Sequence, residues 1–330
     1  MANRRSQIAP EGPLAAALRE MGELTIVEQA RELDEAGILA RMREADVLIT
    51  NWASTPIPAA LADDPGRLKY VLNLGGTCRA TVPIEIIRKG IPVTNWGDTP
   101  AQSVAEGAMA LLLAVLKDLR GRVEGLRDGR GGNAGKLGLA SGTLDGLKLG
   151  LYGCGVIGRR FVEMARPFRP ELGVYDPYAD GLPEDCRRLE SLDALFEQSE
   201  AVAIWAGLSD ETRGSVTAAR LARLPDHGIL INAARGEIVD QDALFAELKS
   251  GRLRAGLDVL VGDDYLPKGH EAHTWPNLLI TGHDINAAHW PERGNRLGYG
   301  DRVALDNLRR FAAGQPLRFV MDERRYQLSS

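Results

Sequence analysis

Three glycines with the spacing of a nucleotide-binding turn lie near the middle of the chain, in the string GCGVIG at residues 153–158. The apolar run from Leu147 to Tyr152 precedes them, and a helix-like segment follows. In a strand, turn and helix of this kind, the first glycine allows the tight turn. The second leaves room for a pyrophosphate, and the third lets the helix pack against the strand. The motif predicts a dinucleotide site whose cofactor contacts are Gly153, Gly155, Val156, Ile157 and Gly158.

An acidic residue occupies the position expected to bind the ribose of that dinucleotide. The run Leu172 to Tyr175 is predicted to be the next strand, and Asp176 ends it. A carboxylate there hydrogen-bonds the ribose 2′-hydroxyl of NAD and repels the 2′-phosphate of NADP. Pro177 and Tyr178 follow, and no arginine stands beside them in the sequence to accept a phosphate. The pattern therefore favours NAD as the cofactor.

An arginine and a histidine follow two later apolar runs, at strand ends where α/β sheets place ligands. Arg235 follows the run Gly228 to Asn232, and its planar guanidinium suits bidentate contact with a carboxylate. His283 follows the run Leu278 to Thr281, and an imidazole is suited to general acid–base catalysis near neutral pH. A surface arginine and a structural histidine are the ordinary alternatives for these two residues.

The apolar runs that must position these residues alternate with helical segments, which predicts parallel-sheet α/β structure. One long helix is expected over Ala101 to Leu119, and the eight glycines from Gly121 to Gly142 indicate a connecting arm. Further helices are expected over Ala243 to Lys249 and around Arg302 to Ala312, followed by a polar tail. The other predicted strands are Ala45 to Thr50, Leu68 to Leu74, Ile91 to Thr94, Ala201 to Trp205 and Gly256 to Leu260.

Length and composition narrow the class of protein. A chain of 330 residues exceeds what one core usually organises, so two domains are expected. The net charge of −5 gives no basic surface for nucleic acid. Neither an uninterrupted apolar run of membrane-spanning length nor a signal-peptide core is present in the sequence, and the three cysteines are scattered. We therefore expect a cytoplasmic protein that neither enters a membrane nor is secreted.

Six strings in order resemble the D-isomer-specific 2-hydroxyacid dehydrogenases: VTNWGDTPAQSVAEGAMALLL, GLYGCGVIGRRF, VYDP, INAARGEIVDQDALFAEL, AGLDVL and NLLITGHDINA. The resemblance runs from about Leu68 to about Ala288. It implies two doubly wound, Rossmann-like parallel-sheet domains with a cleft between them, the cofactor domain being inserted in the catalytic domain. It also implies reversible NAD-linked reduction of a 2-oxo acid to a D-2-hydroxy acid, by an oxidoreductase that usually forms homodimers.

The resemblance gives the domains their expected bounds and several residues their expected roles. Residues 1–102 and 290–330 would form the substrate or catalytic domain, and residues 103–289 the NAD-binding Rossmann domain with its linking helix and glycine-rich arm. The string LLITGH marks His283 as the proton donor in reduction. The string NAARG marks Arg235 as the carboxylate-binding residue. Further cofactor contacts are expected at Ser103, Ala233, Arg235 and Asp258.

The carboxylate that normally pairs with the catalytic histidine departs from the family pattern. Family members usually carry a glutamate there, whereas this chain reads LDVLVGDDYLP. Counting from Asp258 places Asp263 in the glutamate's position, and counting from Arg235 favours Asp264. Either aspartate could orient His283 and favour its protonated form, although the side chain is shorter by one methylene. Two solvated acids on a loop are the alternative.

The substrate loop is expected at Gly75, Gly76 and Thr77, whose backbone N–H groups would bind a carboxylate. Arg79 stands nearby, where an aspartate is common, and adds a possible second cation. Trp52 and Trp96 either form an apolar wall or belong to the core. Glyoxylate, hydroxypyruvate, a larger aliphatic acid and a sugar-derived acid all remain open as substrates.

A second class of function is a dinucleotide-sensing binding protein or regulator on the same fold. Three departures from the family pattern motivate this alternative. An aspartate stands in place of the usual glutamate, and Arg79 stands where an aspartate is common. Trp205 and Gly207 replace the histidine and proline that are usual beside the nicotinamide ribose. A formate-oxidising variant is disfavoured, because that branch pairs its histidine with glutamine. His270, His273 and His289 could suggest a metal cluster with His283, but they are expected on separate loops without acidic or cysteine ligands at the intervals of a structural site, so no metal is expected.

Overall fold

The chain, examined as a computed structural model, divides into two compact units. The structure describes residue 8 and residues 10–27, 33–129, 141–262, 265–285 and 297–328. The first unit comprises Met1–Pro100 with His289–Ser330, and the second comprises Ala101–Ala288. The second unit is therefore an insertion within the sequence of the first, and each unit contains its own parallel sheet. The predicted α/β class with an inserted second domain is confirmed.

The first unit has a three-stranded parallel sheet in the order β1-β2-β3. Side chains alternate between its faces, so Tyr70 and Leu72 pack with helices α1 and α10, whereas Val71 and Val93 pack with α3 on the other side. The elements are α1 (Pro13–Arg19), α2 (Glu35–Glu44), β1 (Val47–Thr50), β2 (Tyr70–Asn73), α3 (Ile84–Arg88), β3 (Val93–Thr94), α10 (Tyr299–Ala312) and α11 (Glu323–Leu328).

The second unit has a seven-stranded parallel sheet in the order β10-β9-β8-β7-β4-β5-β6. Its strands are β4 (Lys148–Tyr152), β5 (Glu171–Tyr175), β6 (Cys186–Arg188), β7 (Ala201–Ile204), β8 (Ile229–Asn232), β9 (Arg254–Leu257) and β10 (Leu278–Ile280). Its helices are α4 (Ala101–Leu116), α5 (Leu119–Arg127), α6 (Val156–Ala165), α7 (Leu192–Glu197), α8 (Ala218–Leu221) and α9 (Gln241–Lys249).

Both faces of this larger sheet are covered, which explains why its strands read as continuous apolar runs. On β7, Ala201 and Ala203 face the core formed with α4 and α6, while Val202 and Ile204 face α7, α8 and α9. The chain starts at β4, runs outward to β6 and then returns to β7 on the other side of β4. The reversal between β4 and β7 is the point where open α/β sheets bind ligands.

Three sequence predictions about elements were wrong in detail. The helix expected over Ala101 to Leu119 ends at Leu116, because Asp118 adopts a left-handed φ of 49° and caps α5 by accepting a hydrogen bond from Gly121 N. Helix α5 therefore occupies the start of the segment predicted to be an arm. The strand expected over Gly256 to Leu260 is β9 (Arg254–Leu257), which ends three residues earlier because the chain bends at Asp258.

Besides α5, the sequence analysis did not predict α1 and α2, which precede β1, or two elements with weak apolar patterns. Strand β6 is a short, polar edge strand, and α11 lies in the stretch predicted to be a polar tail. No helix within the described ranges is long and apolar enough to cross a bilayer.

Candidate active site

The glycine turn joins β4 to α6 at the reversal point of the larger sheet. Gly153 has a φ of +95°, and a Cβ there would lie 2.7 Å from the backbone nitrogen of Ala206. A Cβ on Gly158 would lie 2.9 Å from the carbonyl oxygen of Gly153. Only glycine fits at these two positions, so both are needed for the turn itself.

Gly155 differs from the other two glycines because a Cβ there would meet nothing within 4 Å. It is the N-cap of α6, and no side chain caps the helix. The first-turn N–H groups, which include those of Val156 and Ile157, therefore face an open region that suits an anion. This is the arrangement that a dinucleotide pyrophosphate requires.

Asp176 links the glycine turn to the turn that follows β5. Its Oδ2 accepts a hydrogen bond from Cys154 N at 2.7 Å, and its Oδ1 accepts from Tyr178 N at 2.8 Å and Ala179 N at 3.0 Å. The carboxylate thus fixes the loop that would surround the ribose of a bound dinucleotide. Burial raises the pKa of the Cys154 thiol, which keeps that neighbour uncharged.

Two arginines lie close to the end of β5, although none follows Asp176 directly in the sequence. Arg188, on the neighbouring strand β6, donates to the carbonyl oxygens of Asp176 at 2.8 Å and Ala179 at 2.9 Å. Arg159, on α6, donates to the carbonyl oxygen of Gly181. No arginine follows Asp176 directly in the sequence, but the pairing of β5 with β6 brings Arg188 to this loop.

Arg235 lies just beyond β8 in a loop held by a buried side chain. Asn232 Oδ1 accepts from Ala234 N at 3.0 Å, and its Nδ2 donates to the Arg235 carbonyl at 2.9 Å. Arg235 is half-buried and donates from Nη1 to the Ala234 carbonyl at 2.7 Å. A Cβ on Gly236 would lie 2.1 Å from the Leu260 carbonyl carbon, so this glycine lets the loop pack directly on the segment after β9.

His283 lies just beyond β10 on a turn fixed by Asp258. The turn contains two left-handed residues, Gly282 with φ 69° and His283 with φ 58°. Asp258 is 3% exposed, and its Oδ1 accepts from Thr281 Oγ1 at 2.6 Å and from Asp284 N at 3.1 Å. Its backbone carbonyl accepts from His283 N, and its own N–H donates to Asn232 O at 2.8 Å.

The Asp258 carboxylate therefore ties the end of β9 to the turn after β10, and its backbone N–H ties the end of β9 to β8, while the Asn232 amide fixes the loop after β8. Arg235 and His283 follow β8 and β10, the two strands that flank β9, so both loops lie at the carboxyl ends of neighbouring strands of one sheet. A left-handed φ is uncommon for residues other than glycine, although histidine adopts it more readily than most, and at His283 the hydrogen bonds to Asp258 hold this conformation. Sequence reasoning missed this function of Asp258, as well as the function of Asn232.

The structure describes some of the remaining predicted site residues, but not all of them. Asp263 and Asp264 lie outside the described residues, as does His289, so the identity of the acid that pairs with His283 stays a prediction. Ser103 lies in the first turn of α4, and Ala233 follows β8 directly. Among the described residues, no three His, Cys, Asp or Glu side chains are grouped so as to hold a metal ion.

The predicted substrate loop is in the first unit, beyond β2, and its carbonyls are fixed. Gly75 O accepts from Trp96 N at 3.1 Å, Gly76 O accepts from Asn95 Nδ2 at 2.5 Å, and Thr77 O accepts from Asn73 Nδ2 at 3.0 Å. These two asparagines, both buried, were missed from the sequence. Their pattern, an Asn at or just after a strand end, was a usable signal.

Two of the substitutions that motivated a non-catalytic function, Trp205 and Arg79, have described contacts. Trp205 packs in the core, with its ring centroid 5.0 Å from that of Phe161, and its Cδ1 would lie 3.4 Å from a Cβ on Gly158. Arg79 donates from Nη1 to the Gln327 carbonyl at 3.4 Å, at the C-terminal helix of the same unit. Trp205 is thus a core residue beneath the glycine turn, and Arg79 is turned toward α11.

Comparison with known proteins identifies the family. Residues 109–284 match the NAD-binding domain of the D-isomer specific 2-hydroxyacid dehydrogenases, and the chain belongs to this family. A hydroxypyruvate reductase of Thermotoga maritima is 32% identical over 240 residues, which is 72% of this chain and 76% of that protein. A D-3-phosphoglycerate dehydrogenase of Methanocaldococcus jannaschii is 30% identical over 271 residues, 81% of this chain, but the match spans only 50% of that protein.

Solved structures agree with the fold. An NADPH-dependent glyoxylate/hydroxypyruvate reductase of Sinorhizobium meliloti, solved in complex with citrate, superimposes with a TM-score of 0.76 at 26% identity. The match covers 98% of this chain and 96% of that one. The chain is therefore a two-domain, Rossmann-type oxidoreductase of the 2-hydroxyacid dehydrogenase family that uses a nicotinamide dinucleotide.

Proposed function

We propose that the protein catalyses the reversible, NAD-linked reduction of a 2-oxo acid to a D-2-hydroxy acid. The observation that supports this most directly is the Asp258 network, which holds the turn carrying His283 at the same sheet edge as Arg235. Reduction of a 2-oxo acid needs a cation for the carboxylate and a proton donor for the ketone oxygen, and Arg235 and His283 are residues of these two types.

The residues divide the chemistry between them. The Arg235 guanidinium binds the substrate carboxylate and orients the adjacent ketone. A nicotinamide dinucleotide held at the glycine turn of residues 153–158 would supply the hydride that the ketone carbon accepts. The His283 imidazolium donates its proton to the ketone oxygen, which gives the hydroxyl group and leaves a neutral imidazole; oxidation reverses both transfers. Asp263 or Asp264 is proposed to orient His283, and Gly75, Gly76 and Thr77 are proposed as further substrate contacts.

NAD is the proposed cofactor because a carboxylate ends β5. A ribose 2′-phosphate would approach Asp176, whose charge opposes it. Arg188 acts in the opposite direction, but its two terminal nitrogens already donate to backbone carbonyls. Cofactor contacts are proposed at the glycine turn, Asp176, Ser103, Ala233, Arg235 and Asp258. We further propose that the protein is a cytoplasmic homodimer that needs no metal and binds neither nucleic acid nor membrane.

The test is a spectrophotometric assay of NADH and NADPH oxidation over a panel of 2-oxo acids, repeated with the His283→Gln variant. We expect consumption of NADH in preference to NADPH, and turnover at least about 100-fold lower in the variant while NADH still binds. The non-catalytic alternative, a dinucleotide sensor, predicts NADH binding without consumption across the whole panel. The positions of Trp205 and Arg79 remove two of the reasons for that alternative.

A further inference from the structure

Ile285 links the turn that carries His283 to the core of the second unit. Its backbone N–H donates to Asp258 Oδ1 at 3.1 Å, so it is bound to the same carboxylate as the rest of the turn. Its side chain is partly buried and packs against the core that α4 forms with the larger sheet. The residues before it, from Thr281 to Asp284, are exposed. Ile285 therefore attaches an otherwise exposed turn to the core.

Helix α4 receives this side chain at a glycine. Gly107 is buried within the helix, and a Cβ there would lie 2.3 Å from Ile285 Cγ1 and 2.9 Å from the Ile285 carbonyl oxygen. Glycine is unfavourable inside a helix, because it loses more conformational freedom there than any other residue does. The close approach of both the side chain and the backbone of Ile285 explains why a residue without a side chain stands at this position.

The helix is the fixed side of this contact. Nine of the 16 residues of α4 are buried, and the helix packs against α6, β8 and β9. The described contacts that hold the turn are the hydrogen bonds to Asp258 and the packing of the Ile285 side chain. A group added at Gly107 would therefore displace Ile285 rather than the helix.

The size of that displacement follows from the contact distances. Carbon atoms that are not bonded to each other approach to about 3.5–4.0 Å. An alanine methyl group at Gly107 would thus move Ile285 by roughly 1 Å, at a point two residues from His283. A catalytic group misplaced by about 1 Å can lose on the order of 100-fold in rate.

We propose that Gly107 and Ile285 are positioning residues for His283. The isoleucine side chain, packed on the backbone of α4, sets where the imidazole lies when it transfers its proton. This proposal rests on the function proposed above. Neither residue contacts the substrate or the cofactor in this arrangement, and both act through the turn that they hold.

The test compares kcat, the KM of the 2-oxo acid and NADH affinity in Gly107→Ala, Ile285→Ala and the double variant. We expect Gly107→Ala to lower kcat about 10- to 100-fold, with NADH affinity within about threefold of wild type. The double variant lacks the crowded side chain, so its kcat should exceed that of Gly107→Ala by at least about fivefold. Ile285→Ala loosens the same contact without crowding the helix and should lower kcat at least about threefold.

Gly142→Ala is the matched control. A Cβ on Gly142 would lie 2.8 Å from Leu116 Cδ1, so this variant crowds the opposite end of the same helix. Because that end is distant from Ile285 along α4, kcat should change by less than about twofold. Urea unfolding of each variant shows whether the protein remains folded under the conditions of the assay.

A second readout does not require turnover. The proton–carbon correlation spectrum of the histidine rings reports the surroundings of each imidazole in the protein alone, and the sequence contains five histidines. The His283 signal is assigned by its loss in His283→Gln. We expect this signal to shift in Gly107→Ala, to return toward its wild-type position in the double variant and to stay in place in Gly142→Ala.

Wild-type kcat in Gly107→Ala would overturn the proposal, as would an unmoved His283 signal in that variant. A loss of kcat that the double variant does not recover would also overturn it, because crowding against Ile285 would then not be the cause. An equal loss in Gly142→Ala would show a general effect on the helix. If the wild-type protein binds NADH but reduces no 2-oxo acid, the proposed function fails and this inference fails with it. Reduction of 2-oxo acids at the wild-type rate by Gly107→Ala refutes this inference alone.

Discussion

Substitution of the individual glycines of the turn should have different effects, and Gly155→Ala tests whether Gly155 serves cofactor binding or folding. The folded chain has open space at Gly155, and its φ of −71° suits alanine. The alanine is a poorer N-cap but restricts the unfolded chain, so we expect the unfolding free energy to change by less than about 1 kcal/mol. If a pyrophosphate approaches the backbone there, the added methyl group should weaken NADH binding at least tenfold, about 1.4 kcal/mol.

Gly153→Ala should behave in the opposite way. Its φ of +95° is strained for alanine, and the new Cβ would lie 2.7 Å from the Ala206 nitrogen, a backbone atom that cannot rotate away. We expect a loss of roughly 2–5 kcal/mol in unfolding free energy. Gly22→Ala is the control, since a Cβ there also meets nothing within 4 Å but Gly22 lies far from the turn in sequence.

The assays are urea unfolding of the protein alone and titration of NADH by its fluorescence. The reasoning is refuted if Gly155→Ala binds NADH as tightly as the wild-type protein does. It is equally refuted if Gly155→Ala is destabilised as much as Gly153→Ala, because the effect on binding would then follow from damage to the fold.

Three further predictions follow from described contacts. Asp258→Ala leaves the donors of the His283 turn without their acceptor and should lower the unfolding free energy in urea by about 2–4 kcal/mol. Asp258→Asn keeps an acceptor oxygen and should lower it by less than half as much. Equal losses in the two variants would contradict this prediction. Asp176→Ser should raise the ratio of kcat/KM for NADPH to that for NADH at least about tenfold, because it removes the carboxylate charge that opposes a ribose 2′-phosphate, and an unchanged ratio would exclude Asp176 as the discriminator. Burial raises the pKa of Cys78 and Cys186 to about 11, so both thiols stay protonated at pH 8. They should react with a disulfide reagent much more slowly in the folded protein than in urea, and the rate should rise as the pH approaches 11. Rapid labelling of the folded protein at pH 8 would contradict this prediction.

The strands of the larger sheet could be located from the sequence because both of its faces are buried. Apolar runs such as Leu147 to Tyr152 then stand out against polar connections, and the observed β4 differs by one residue. Strand β6 carries no such signal: only Cys186 of its three residues is even partly buried, so pairing with β5 alone defines it. Helix α5 was hidden by the glycines around it, and its start depends on the conformation of Asp118.

The candidate site could be predicted as a set of residue types but not as a network. The positions of Arg235 and His283 after apolar runs were sufficient to place both at one edge of the sheet. The sequence could not show that Asp258 holds the His283 turn, because an aspartate after a strand has many possible partners. Nor could it show that Arg188 lies beside Asp176, since these residues meet only through strand pairing.

The most direct test of the whole account is the rate of NADH oxidation with a 2-oxo acid for the wild-type protein and for His283→Gln, measured beside NADH affinity. The account predicts turnover in the wild-type protein, turnover lower by at least about 100-fold in the variant, and nearly equal NADH affinity in both. Wild-type turnover in His283→Gln would contradict it, because the proton would then come from another group.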